Sequence, residues 1–101
     1  MKVGLTDEMV VCLTIYRLSG GTGGYGAASY DELVRALDGV LSPQKISADL
    51  DYLFDLGIIN GIWKETDDGY WTRSFCVSEE AGGFVESAYR RSSLHDRPCH
   101  G

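Results

Sequence analysis

The chain has 101 residues, 44% of them apolar, with a formal net charge of −6 and three cysteines. This suits one small domain with a modest core and predicts neither a membrane span nor a secretory leader, since no apolar run nears the ~18 residues a span needs and the first residues turn acidic at once. No segment is a basic arm, and Cys12, Cys76 and Cys99 form no C-x-x-C pair, which fits reduced thiols in a cytoplasmic protein.

Thr6 reads as an N-cap, with Asp7 and Glu8 in the first turn, where the helix dipole favours negative charge. Leu5 and Val10 have the spacing of a hydrophobic staple. Met9, Cys12, Leu13 and Tyr16 continue one apolar stripe to about Leu18, and Ser19-Gly20-Gly21 ends this first helix. Residues 20–26 hold five glycines in seven, a mobile connection. They lack the lysine of a phosphate-cradling loop and follow no strand, so they fit neither nucleotide fingerprint. Ser29 and Glu32 form a capping box that opens a short second helix on Leu33, Val34 and Leu37, closed by Asp38-Gly39.

Val40 and Leu41 are expected to tuck into the core. Ser42 is the next N-cap, and Pro43 takes the first helical position, where its missing N–H costs nothing. Ile46, Leu50, Leu53 and Phe54 give the buried stripe of a third helix over about 43–56, and Gly57 ends it. Strands follow over 61–65 and 70–77, joined by Thr66-Asp67-Asp68-Gly69, a strong hairpin signal. Trp71, Arg73, Phe75 and Val77 share one strand face, with Phe75 and Val77 nearest the core. Ser78 caps a fourth helix whose stripe is Ala81, Phe84, Val85, Ala88 and Tyr89, with Arg90 and Arg91 in its last turn. Gly82-Gly83 weakens that helix by roughly 1 kcal/mol per glycine relative to alanine, so it needs a packing partner. Residues 1–91 make one domain, and residues 92–101 read as a disordered tail.

Helix, helix, helix, hairpin, helix is a mainly α chain with one β-hairpin. It is the layout of a winged helix-turn-helix domain: a three-helix core, a two-stranded wing and a C-terminal helix. The run K-I-S-A-D-L-D-Y-L-F-D-L-G-I-I resembles the recognition-helix pattern of winged-helix regulators of the MarR, PadR and ArsR type, with Ile46, Ser47, Leu50, Leu53, Gly57, Ile58 and Ile59 at the matching positions. R-S-F-C-V-S-E-E-A resembles the second wing strand and its exit: Arg73, Phe75, Val77, Ser78 and Glu80 match, while Ala81 replaces the usual glycine. Most of these positions are core residues, so they report packing more than function.

The resemblance implies a cytoplasmic, homodimeric DNA-binding transcription regulator, with the third helix (43–56) in the major groove and the wing (61–77) on the backbone. Its candidate contacts to double-stranded DNA are Ser42, Gln44, Lys45, Ser47, Tyr52, Lys64 and Arg73. Gln44 suits adenine and Lys45 suits guanine or a phosphate. Ser42 and the first helical N–H groups suit a phosphate, and Lys64 and Arg73 suit the backbone beside the wing. Dimerisation would run through the first and fourth helices. Asp49, Asp51 and Asp55 on the same third helix repel phosphates. They favour the alternative, a winged-helix module that binds protein rather than DNA, and Trp63, Tyr70 and Trp71 near the hairpin tip would supply its exposed apolar patch. A third reading, an effector sensor, has no residues that name a ligand. No catalytic constellation, metal set or cofactor motif appears: His95, Cys99 and His100 are confined to the tail, and the paired carboxylates fall in first helical turns.

Overall fold

The computed structural model describes residues 6–20 and 26–91. In chain order these form α1 (Asp7–Ser19), β1 (Ala28–Ser29), α2 (Tyr30–Ala36), α3 (Pro43–Asp55), β2 (Ile59–Glu65), β3 (Trp71–Val77) and α4 (Glu79–Arg91). The expected caps are in place. Thr6 accepts from the Met9 N–H, Ser42 from the Lys45 N–H, and Gly20 closes α1 in the left-handed region at φ +81°. Ser78 accepts from the Ala81 N–H while donating to the Gly57 carbonyl at 2.8 Å, so one side chain ties the start of α4 to the end of α3. Gly57, at φ +76°, makes the left-handed turn from α3 into β2 that a side chain would strain.

α1 is the centre of the molecule. Val11, Cys12, Leu13 and Ile15 are fully buried, and α1 touches the other three helices, β1 and β3. Leu33 from α2, Ile46, Leu50 and Leu53 from α3, Ile59, Phe75 and Val77 from the hairpin, and Val85 and Ala88 from α4 close around it. Cys12 serves as a small apolar filler, its thiol pushed up to about 11 by burial. Among the described residues no helix is long and apolar enough to cross a membrane.

Three local expectations are corrected. The hairpin gains a third strand, because Ala28 and Ser29 pair antiparallel with Phe75 and Ser74 to give the order β1-β3-β2. A two-residue strand carries no periodicity to read, yet it satisfies the buried end of β3, which would otherwise bury an unpaired edge. Val40 does not tuck in: it is 63% exposed at the α2–α3 turn, and only Leu41 packs on the core. Phe54 and Phe84 leave their predicted stripes, at 41% and 61% exposure. On α4 the buried line runs through Gly82, Val85 and Ala88, where small residues let the helix lie close, so Phe84 is turned outward. Leu5, residues 21–25 and the tail with His95, Cys99 and His100 lie outside the described residues.

The capping box on α2 is complete: the Ser29 N–H donates to Glu32 Oε1 at 2.9 Å, and the Glu32 N–H donates to Ser29 Oγ at 3.1 Å. The Ser29 backbone bond, with the Lys64 charge nearby, holds the Glu32 carboxyl below its usual 4.5 against a smaller opposing effect of burial. A depressed acid contributes stability that is full above pH 4.5 and is lost as the pH falls through the lower folded value. Ser29→Ala is therefore expected to cost about 1 kcal/mol in urea unfolding at pH 7. The stability gap between the parent and Glu32→Gln should narrow in melts taken below pH 4.5, and a gap that widens there would contradict this geometry.

Candidate nucleic-acid interface

α2, the turn through Gly39 and α3 form the helix-turn-helix unit. The Tyr30 hydroxyl donates to the Pro43 carbonyl at 3.1 Å and pins the start of α3 against α2. Ile46, Leu50 and Leu53 seat one side of α3 in the core. The opposite side exposes Gln44, Ser47, Ala48, Asp51, Tyr52 and Asp55, a continuous stripe at helical spacing. Pro43 has no N–H and the Lys45 N–H is taken by Ser42, so among the described residues Gln44 supplies the remaining backbone donor of that first turn.

The cations expected to face a phosphate are instead held by the protein. Lys45 Nζ donates to Asp49 Oδ1 at 2.8 Å and lies 3.9 Å from both Asp7 and Glu8. The Asp49 bond, reinforced by Glu8 and Asp7 and opposed by partial desolvation, raises the Lys45 ammonium above its ordinary value. Asp49 was expected to repel phosphates from the helix face. It is 2% exposed and neutralised by Lys45, so the exposed acids of α3 are Asp51 and Asp55. Nothing in the one-letter pattern marks Asp49 as buried except its i+4 spacing from Lys45 and i+3 spacing from Ile46.

On the wing, register separates the two expected contacts. Trp63 pairs with Arg73, and Lys64 with Thr72, so Lys64 and Arg73 point to opposite faces. Lys64 Nζ reaches back to donate to the Ala27 carbonyl at 2.8 Å and sits 3.7 Å from Glu32. It thereby borders a groove of about 620 Å³ between α2 and the hairpin, whose carboxylates, among them Asp31, Glu65, Asp67 and Asp68, outnumber its cations Arg35 and Lys64. Arg73 folds the other way. Its guanidinium lies 5.2 Å from the Phe54 ring centre and 5.9 Å from that of Phe75, in the space left by Gly61. Phe54, expected in the core, instead lies against the Arg73 guanidinium. The same face carries Trp63 and Trp71, both exposed, with Glu65 opposite Trp71. Tyr70 is exposed as well, so all three aromatic residues near the hairpin tip lie outside the core, as an apolar patch requires.

No protein-family model matches this chain, and no curated protein sequence does. Solved structures do. The circadian clock associated protein Pex from Anabaena superposes with a TM-score of 0.67 at 24% identity, covering 91% of this chain and 81% of its own. A PadR-like transcriptional regulator from Bacillus cereus gives 0.65 at 15% identity over 88% and 82%. Pex from Synechococcus gives 0.57 at 22% identity over 86% and 81%. At these identities the likeness is one of fold, and the fold is a winged helix.

Proposed function

We propose that the protein is a cytoplasmic DNA-binding transcriptional regulator that acts as a homodimer. The observation that carries this reading is the exposed stripe of α3 (Gln44, Ser47 and Tyr52) held in a winged-helix frame like that of the PadR-like transcriptional regulator. Gln44 is the base reader, its amide able to bond adenine N6 and N7 together. Ser47 and Tyr52 follow it along the groove. The Ser42 hydroxyl and the Gln44 N–H take a phosphate at the helix start. Lys45 keeps its bond to Asp49 and turns a remaining N–H to phosphate, while Lys64 and Arg73 serve the backbone by exchanging Ala27 with Glu32, and Phe54, for phosphate oxygens. Dimerisation joins α1 and α4, which already pack through Tyr16 and Tyr89 at 5.2 Å, and the outward Phe84 supplies apolar surface for it. A dimer places two sets of scarce cations on one duplex.

Fluorescence anisotropy with a mixed-sequence duplex at about 50 mM salt tests the reading. Binding is expected to weaken with salt, with a log–log slope of about −3 per protomer if all three cations engage. Lys64→Ala and Arg73→Ala should weaken every duplex alike, while Gln44→Ala should relax preference at one base pair, by roughly 1–3 kcal/mol. No binding by the purified protein at low salt would sink the proposal.

A further inference from the structure

We infer that the aromatic side of the wing is a docking surface for a basic, partly apolar segment of another protein. Trp63 and Trp71 stand 64% and 62% exposed on one hairpin face. They are diagonal neighbours across β2 and β3, ~7–8 Å apart along the sheet and within mutual reach. Phe54 extends the patch onto the end of α3 through its contact with Arg73. An exposed pair of indoles of this size marks an interface.

Charge selects the occupant. Glu65 lies on the same face, Asp67 and Asp68 form the adjoining turn, and Asp51 and Asp55 flank Phe54 along α3. All five are exposed, and among the described residues none has an ion-pair partner. Arg73, the one cation on the face among the described residues, is folded onto Phe54 and Phe75. Beyond Arg73, at the tip end of this face, a phosphate backbone meets repulsion from Glu65, Asp67 and Asp68, well within the ~8 Å over which charges act at physiological salt. A second copy that met this face with the same face would set Glu65, Asp67 and Asp68 against their own copies and is opposed in the same way. A basic segment finds carboxylates for its lysines and arginines and indole faces that attract cations. β2 is also the outer strand of the sheet, so an extended segment meets open backbone groups along it. This site shares only Asp51 and Asp55 with the exposed stripe of α3 and uses none of Gln44, Ser47 and Tyr52, so it does not depend on DNA binding.

Both tryptophans of the chain lie on this face, so indole emission reads its occupancy directly. The probe is a peptide of about eight alternating lysines and leucines, roughly the length of the wing strands, and the control carries glutamate for lysine. A saturable blue shift is expected with the lysine peptide alone. It should weaken about tenfold or more in Glu65→Gln/Asp67→Asn/Asp68→Asn, and again in Trp71→Ala, where Trp63 still reports. All four positions are exposed, so circular dichroism of these variants should match the parent. No shift, an equal shift with the glutamate peptide, or indifference to the charge variant overturns the inference. A shift on concentrating the protein alone assigns the face to a second copy. A shift with duplex DNA that Trp71→Ala abolishes assigns it to nucleic acid. Either result also overturns it. Loss of duplex binding with peptide docking intact removes the proposed function and leaves this inference standing.

Discussion

Ile46→Ala is expected to cost about 3 kcal/mol, the largest single loss from the helix-turn-helix half of the molecule. Ile46 is fully buried and packs from α3 into the cluster around Val11, Leu13 and Leu33. Truncation removes three carbons from a close-packed site and leaves a void that neighbouring helices cannot fill without moving. Against a total of about 5–15 kcal/mol for a domain of this size, that is a large share, and the melting temperature should fall by roughly 15 °C. Urea unfolding should show a lower midpoint with an unchanged slope. Ile46→Val should cost about 1 kcal/mol, and Ile62→Ala, on the exposed part of the hairpin, less than Ile46→Ala. A cost below about 1 kcal/mol for Ile46→Ala would mean that α3 is not seated on this face. Because the same stripe sets the outward direction of Gln44 and Ser47, duplex affinity should drop with stability as the variant is warmed.

Lys45→Met is expected to be strongly destabilising, and more so than the loss of an exposed lysine. The reason lies in its partner: Asp49 is buried, one of its oxygens has no hydrogen-bond partner, and Lys45 is the cation that compensates the other. Removing one member of such a pair strands a charge in a poorly solvated place, whereas replacing both by apolar residues is often near neutral. Lys45→Met/Asp49→Leu should therefore recover most of the melting temperature lost in Lys45→Met. The same set separates stability from DNA contact. If Lys45 also meets phosphate, the double variant regains its fold without regaining duplex affinity. If both return together, Lys45 is a tie between α3 and α1 and nothing more. A single variant as stable as the parent would show that the Lys45–Asp49 bond is not formed in solution.

Much of the architecture was legible residue by residue. Ser29, Ser42 and Ser78 each began a helix where a short polar side chain precedes an apolar stripe, and Asp68-Gly69 turned the hairpin. These are local signals: a cap needs only the next three residues, and a stripe needs only the helical period. The candidate site was less legible. Gln44, Ser47 and Tyr52 emerged on the exposed side as expected, since the period that buries Ile46 and Leu50 also turns them outward. Lys45, Lys64 and Arg73 did not emerge as free cations, because long flexible side chains choose partners across the fold.

The sequence by itself determined where the four helices start and stop, that Cys12 and Leu13 go inward from α1 and Ile46, Leu50 and Leu53 from α3, and that a hairpin follows, although its first strand begins two residues earlier than expected, at Ile59. Those choices rest on backbone propensity and on apolar spacing within one element. The tertiary structure alone decided that Ala28–Ser29 joins the sheet, that Asp49 is buried, and that Arg73 lies between Phe54 and Phe75 over Gly61. It also decided that Lys64 is tied to a carbonyl 37 positions earlier in the chain. Partners so far apart share no period and no cap. They meet only when the core brings their elements together, and that meeting sets which charges remain free for a ligand.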